Sequence, residues 1–295
     1  MFTSHSVEDN VSTSYPFIKW AGGKTQLLSE LHRVIPSEFD RYFEPFLGGA
    51  ALFFHLISTR KLRFYPYLSD LNKELIITYR IVKDNVSELL QLLKRHEAAY
   101  KSASFEFYYE LRDKLKPNND IEKAARFITL NKTCYNGLYR VNRSGIFNVP
   151  IGRYKNPLIC DSNNLQNVSR ALRFSKAKIL TSDYRRVVLE NAQKGDFVYL
   201  DPPYNPTNPT SNFTSYTEIG YDDNDQEQLA GIFKKLDDRQ CMVLLSNSDT
   251  PFIRELYSDF MIYTKEVKVL RTINCRASKR AGHKELLIRN YTENA

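Results

Sequence analysis

Two hydrophobic periods take turns along this chain. Short apolar runs bounded by Gly, Pro, Asp or Asn read as buried strands, and stretches with apolar residues three and four apart read as helices. RYFEPF (41–46) predicts a strand entering a Gly-Gly turn at 48–49, with the helix ALFFHLI behind it. RFYPYLSD (63–70) predicts a second strand, ending on an acid. Four helical patterns follow, KELIITYRIV, VSELLQLLKRH, FEFYYELRDKL and IEKAARFITLNK, with Asp120 the expected N-cap of the last. Residues 133–157 break the rhythm: glycines at 137, 145 and 152 and short aromatic-rich stretches predict a hairpin and loops. Alternation then resumes. AKILTSD (177–183), DFVYLDPPY (196–204) and CMVLLSNSD (241–249) predict strands, with VVLENA, QEQLAGIFKKL and PFIRELY as helices, and the closing strands YTKEVKVL and ELLIRN flank a basic loop.

Strands alternating with helices imply an α/β fold with a mostly parallel sheet covered on both faces. Such sheets bind ligands beyond the carboxyl ends of their strands. Phe46 to Gly49, Asp70, Asp183, Asp201 to Tyr204 and Ser246 to Asp249 all end predicted strands, so they are expected along one edge.

Composition narrows the class. The chain has 295 residues, 42% of them hydrophobic, enough for one large α/β domain or a domain carrying an insert. Formal net charge is +8, which suits a polyanionic partner as well as a merely basic enzyme. Four scattered cysteines, Cys134, Cys160, Cys241 and Cys275, form no C-x-x-C pair, so no structural metal and a reducing cytoplasm are expected. The polar opening to Tyr15 lacks a signal-peptide core, and no eighteen apolar residues run together to span a membrane.

Chemistry concentrates in a few motifs. DPPY (201–204) follows the apolar strand FVYL. A rigid turn alone explains Asp-Pro-Pro, since proline fixes φ and Asp favours turns. A functional reading uses every residue: Asp201 and the Pro202 carbonyl each accept a hydrogen bond from one amino group, and Tyr204 stacks on a planar base. Holding an amino nitrogen so that its lone pair meets a methyl donor is catalysis by positioning and electrostatics. FLGGA (46–50) lets backbone approach a ligand closely but is not the dinucleotide fingerprint G-x-G-x-x-G. Asp70 falls where an acid can hold a ribose diol; an exposed strand-end acid is the plain alternative. KWAGGKT (19–25) fails as a Walker A loop because residue 18 is Ile, leaving a glycine turn before a helix or a small anion site. From Asn131 to Arg186 there are eleven Lys or Arg against two acids, interleaved with Tyr135, Tyr139, Phe147 and Tyr154; a DNA-contacting element is expected rather than a solvated face. RTINCRASKRAGHK (271–284) is a second basic patch.

KWAGGK, EPFLGGA, SDLN, LNKTCYNGLYRVNRSGIFNVPIGRYKNP, YLDPPY, NFTSYT and LLSNSDT, in this order, resemble the Dam family of adenine-N6 DNA methyltransferases, the α-group, D12 class that includes DpnM-type enzymes. The resemblance runs from about Phe17 to Tyr291. One departure is that the family's turn often reads F-x-G-x-G, whereas FLGGA ends on Ala50.

The resemblance implies a Rossmann-like, AdoMet-dependent methyltransferase domain from residues 1–72 and 161–295, with a helical and hairpin target-recognition domain at 73–160. Trp20, Ala21, Gly22 and Lys24 would close over S-adenosyl-L-methionine, with Phe46, Gly48, Asp70, Asp183 and Asp201 completing its site and S-adenosyl-L-homocysteine the product. Asp201, Pro202, Pro203 and Tyr204 would form the catalytic set, acting on an adenine flipped from double-stranded DNA. The expected site is GATC, with Arg140, put at a hairpin tip by the Gly turn in YNGLYRVN, reading its guanine, since arginine's planar fork matches O6 and N7. Tyr135, Asn136, Leu138 and Pro150 would complete that contact, and Arg143, Arg153 and Lys155 would hold phosphates. No metal is expected. The alternatives are the same transfer to cytosine N4 or to adenine in RNA, and a silent DNA-binding module. The cellular setting would be the cytoplasm of a prokaryote or phage host, beside a restriction endonuclease or without one.

Overall fold

The computed structural model describes residues 13–59, 61, 65–205, 221–269 and 283–292. Most of the opening tail, the NFTSYT motif and nearly all of the basic loop after Arg271 lie outside the described residues.

Seven strands form one sheet: β1 (Tyr42–Glu44), β2 (Tyr67–Asp70), β3 (Lys178–Thr181), β4 (Phe197–Leu200), β5 (Met242–Ser248), β6 (Lys265–Val269) and β7 (His283–Arg289). Their order is β3-β2-β1-β4-β5-β7-β6; the first five are mutually parallel, and β7 runs antiparallel to both its neighbours. The order reverses at β1, and a crevice opens outside the strand ends at such a point.

The side-chain period of two sorts the sheet into two cores. Tyr42, Phe197, Tyr199, Leu244 and Leu287 face one apolar cluster, and their neighbours Phe43, Val198, Leu200, Val243, Leu245 and Leu286 face the other. The second face is covered by α8 (Tyr184–Asn191), α9 (Asp223–Asp238) and α10 (Pro251–Leu256). The first carries α1 (Leu28–Val34), α2 (Ala51–Ser58), α3 (Lys73–Asp84) and α7 (Ser162–Phe174), and its apolar cluster continues without a break into α4 (Val86–Ser102), α5 (Ser104–Asp113) and α6 (Asp120–Thr133).

Three differences from the sequence reading have physical causes. Helix α6 is capped by Asn119, whose side chain accepts from Glu122 N at 2.9 Å, so Asp120 is the first helical residue and not the cap. Strand β2 is shorter than 63–70, because Pro66 opens its ladder only at Tyr67. Helix α7 has no counterpart in the sequence reading: its polar run SNNLQNVSR hides the apolar stripe Leu165, Val168, Ala171 and Leu172, all buried. Asn164 on α7 clamps the chain before KWAGGK, accepting from Tyr15 N at 3.1 Å and donating to Tyr15 O at 3.0 Å.

A second amide clamp joins three distant segments. Asn131, 3% exposed on α6, accepts from Lys19 N (2.8 Å) and donates to Lys19 O (2.7 Å) and to Gly137 O (3.2 Å). Gly137 must be glycine: its φ is +65°, and a Cβ there would lie 2.5 Å from Lys19 Cβ. Asn131→Ala strands backbone groups in a dry site, each at about 1–3 kcal/mol. We expect it to lower stability by about 3 kcal/mol in urea titration; a loss below ~0.5 kcal/mol would mean the clamp is not structural.

Candidate active site

The parallel strands β1, β2 and β4 end side by side, and the residues after them make the site. After β1, the glycine turn is fixed from three sides. Gly48 N donates to Asp70 Oδ2 (3.1 Å), Gly48 O accepts from Tyr79 of α3 (3.0 Å), and the Trp20 indole lies against its α-carbon. A Cβ on Gly48 would sit 2.6 Å from Trp20 Cδ1, and φ there is +45°. Trp20 is in turn stacked on Phe127 of α6 (6.4 Å, 26°) and on Tyr139 (5.8 Å, 27°). Asp70 also accepts from Asn72 N at 3.0 Å, and burial raises its pKa. Beside it Leu71 leaves an apolar side chain 53% exposed at the rim. Ala50 adopts the left-handed conformation (φ 55°, ψ 35°) as the N-cap of α2, so the position where the family often has glycine does need glycine-like geometry. Alanine tolerates it at a cost of about 1 kcal/mol.

After β4 comes DPPY. Lys24 Nζ lies 2.8 Å from Asp201 Oδ1, is held by Gly22 O, and sits 4.7 Å from the centroid of the Tyr204 ring. Lys24 is 6% exposed and Asp201 19%. Burial pushes the Asp201 carboxyl up to about 6, against the pull of Lys24 and with help from the nearby Glu285 charge. Glu44, at the end of β1, is 3% exposed and bonded by Tyr42 OH at 2.9 Å; burial raises it to about 8, so it is protonated at neutral pH.

Buried amides lock the DPPY turn. Gln226 Nε2 donates to Pro203 O (2.9 Å) and Gln226 Oε1 accepts from Asn247 Nδ2 (2.9 Å), while Asn205 N donates to Asn247 Oδ1 (3.3 Å) and Ser248 Oγ to Asn205 O (2.6 Å). Among the described residues none donates to the Pro202 carbonyl, the acceptor that the sequence reading assigns to an amino group.

The remaining residues fall into two places. Phe46 packs against Tyr184 (4.9 Å) next to Asp183, which caps α8 and pairs with Arg185 at 2.8 Å; that arginine lowers its pKa. The hairpin carries the nucleic-acid candidates. Tyr135 N bonds Pro150 O (2.9 Å), Val141 pairs with Phe147, and Asn142 to Gly145 make the tip. Arg143 is therefore at the tip and Arg140 on the stem, where Asn148 Oδ1 accepts from its Nε at 2.7 Å. Tyr135, Asn136, Arg140, Arg143, Pro150, Arg153 and Lys155 are exposed, and Leu138 is half-buried. The basic stretch of the sequence is not one surface: Lys178 opens β3 at the far end of the sheet, bonded to Tyr67 OH, and Arg186 pairs with Glu190.

Ala21 and Gly22 lie in the turn closed by Gly23 N to Trp20 O (3.1 Å), which delivers Lys24 to Asp201. Among the described residues no three His, Cys, Asp or Glu side chains group as metal ligands, and no helix is long and apolar enough to cross a membrane. Sequence reasoning missed Glu44, Tyr79 and Glu285. Glu44 left a signal, the one charge in the short strand Tyr42–Glu44; Glu285, among other charged residues of β7, left none.

A seven-stranded sheet with this order, a glycine turn after β1, an acid ending β2 and DPPY after β4 define an AdoMet-type methyltransferase fold. The family model for D12 class N6 adenine-specific DNA methyltransferases matches residues 20–272, and the chain belongs to that family. It is 45% identical to the Type II methyltransferase M.MjaIII of Methanocaldococcus jannaschii over 94% of this chain and 99% of that protein. It is 42% identical to the Type II methyltransferase M1.LlaDCHI of Lactococcus lactis (94% and 95%) and 34% identical to the DNA adenine methylase of Escherichia coli (92% and 93%). Membership implies DNA as substrate and S-adenosyl-L-methionine as methyl donor.

The Trp20–Gly48 approach can be read directly, because Trp20 is the chain's one tryptophan. Gly48→Ala puts a methyl into the indole and strains a left-handed residue. We expect a shift in Trp emission and a stability loss of about 2 kcal/mol; unchanged emission would refute the contact.

Proposed function

We propose that this enzyme methylates N6 of an adenine flipped out of duplex DNA, within GATC. The observation that carries the reading is the Lys24–Asp201–Tyr204 cluster. An acceptor and an aromatic face are held ready for an aminated planar base, with a lysine ammonium in the amino group's place. An incoming N6 amino group displaces Lys24, donates to Asp201 and to the Pro202 carbonyl, and the base stacks on Tyr204. Both acceptors draw the N–H bonds to one side and leave the nitrogen lone pair facing the donor. S-adenosyl-L-methionine, when bound, supplies a methyl group on a sulfonium leaving centre. The turn fits that ligand, since the Asp70 carboxylate ends β2 where a ribose diol can donate to it, beside a glycine turn walled by the Trp20 indole. Trp20, Ala21, Gly22, Lys24, Phe46, Gly48, Asp70 and Asp183 would surround it, with Leu71 against a flat apolar part. Asp201 stabilises the positive charge that builds on N6. Residues 73–160 act as the target-recognition insert on the two-part domain 1–72 and 161–295, with Tyr135, Asn136, Leu138 and Pro150 beside the base pairs and Arg143, Arg153 and Lys155 on phosphates. The Type II names of two relatives support pairing with a restriction endonuclease.

Asp201→Ala should lower methyl transfer by orders of magnitude, while AdoMet binding survives through its other contacts; near wild-type turnover would sink the assignment. Asp201 works ionised, and its ionised fraction falls as pH drops through about 6. The kcat/KM for DNA should therefore bend down below pH about 6, and Lys24→Met should move the bend to higher pH, since the cation that favours the carboxylate is gone.

Arg140 is set to read guanine, with Asn148 fixing one edge of a guanidinium that has further N–H donors to offer. Arg140→Ala should weaken methylation at GATC by ~1–3 kcal/mol and far less at sites lacking that guanine. Comparing GATC with single-substitution oligonucleotides at one salt concentration decides it: an unchanged preference ratio removes Arg140 as reader, and no wild-type preference for GATC removes the sequence.

A further inference from the structure

In a sheet of parallel strands, the edge that holds the site receives carboxyl ends only. Strand β7 is the exception. It runs antiparallel between β5 and β6, so it brings its amino-terminal residues to that same edge, with Glu285 opposite Ser248 of β5 and Val267 of β6. Lys284 faces out and pairs with Glu266 at 2.9 Å. One residue on, Glu285 turns inward, 7% exposed, and its Oε2 accepts a hydrogen bond from Tyr204 OH at 2.9 Å. A buried carboxylate so near Asp201 is costly to keep, and an apolar residue would suit the strand ELLIR better.

We propose that Glu285 is a positioning residue of the methyl-transfer site, holding the Tyr204 hydroxyl so that the ring presents a fixed face to the target base. The inference rests on the reading of DPPY as the base-binding motif. Without an anchor, a tyrosine at a turn swings about two side-chain torsions, and a swinging ring gives up its stacking contact and the orientation of the base. With it the ring is gripped twice, at the hydroxyl by Glu285 and over the face by Lys24. When the base displaces Lys24, the hydroxyl contact is the grip that stays. Glu285 also acts on Asp201 through space, as a like charge that keeps the carboxyl harder to ionise.

The test combines Glu285→Met, which keeps volume and removes the acceptor, Glu285→Gln, which keeps an acceptor and removes the charge, and Tyr204→Phe, which removes the hydroxyl. Single-turnover methylation of a GATC duplex is followed against pH, with equilibrium AdoMet binding as the check that each variant is folded. We expect Glu285→Met and Tyr204→Phe each to slow transfer about tenfold or more, and the double variant to be no slower than Glu285→Met alone, because both remove one interaction. Glu285→Gln should recover most of the loss and move the acid bend of the profile to lower pH, since a like charge has left Asp201's surroundings. If the two losses multiply, Glu285 and Tyr204 act independently and the proposal falls. It falls equally if Glu285→Gln is as slow as Glu285→Met with the acid bend unmoved. Failure of the underlying reading looks different: Asp201→Ala would then keep its activity whatever stands at 285.

Discussion

A close approach of one ring to one α-carbon organises the molecule. Trp20 occupies the space that any side chain at position 48 would need, so the indole of KWAGGK can pack on the turn after β1 only because glycine stands there. The same indole stacks on Phe127 of α6 and on Tyr139 of the hairpin, one residue before Arg140. Tyr139 also bonds Glu74 of α3 at 3.1 Å, and α3 begins just after Asp70. The elements proposed to face the cofactor and those proposed to face DNA thus share aromatic packing, with offset-stacked geometry that tolerates little sliding.

Around that packing the electrostatics are set by burial. Glu44, Asp201 and Glu285 are three acids near the strand ends, with Lys24 paired to Asp201. Their mutual repulsion and desolvation are relieved in different ways. Glu44 holds its proton and takes a tyrosine hydrogen bond, Asp201 takes an ammonium, and Glu285 takes the Tyr204 hydroxyl. Such a spread of environments lets one carboxylate remain ionised for work while its neighbour stays neutral.

The sheet, its parallel core and its ligand edge were legible because apolar strands announce themselves and acids or glycines end them. DPPY, FLGG and Asp70 fell where the alternation put them. What was not legible needed three dimensions. Helix α7 escaped because its stripe is diluted by Asn, Gln and Ser, and its worth lies in holding Tyr15 through Asn164. Glu285 escaped because only the reversal of β7 carries it to the site, and strand direction is not written in a short apolar run. The hairpin was foreseen, but its turn was placed at the first glycine. The tip belongs instead to Asn142, whose side chain accepts from Ser144 N and Ile146 N, both at 3.0 Å, and this puts Arg140 on the stem. Basic residues close in sequence were read as one surface, yet β3 starts at the opposite end of the sheet and takes Lys178 with it.

On the proposed reading of DPPY, Lys24 also makes the site its own inhibitor. A tethered ammonium confronts Asp201 at an effective concentration on the order of millimolar. A free nucleoside at micromolar level, bringing only its base, loses that contest. A base that arrives with phosphates and a read sequence behind it adds the hairpin's contacts to its side of the balance and opens the pair. Selectivity for polymer over monomer would then rest on one lysine side chain.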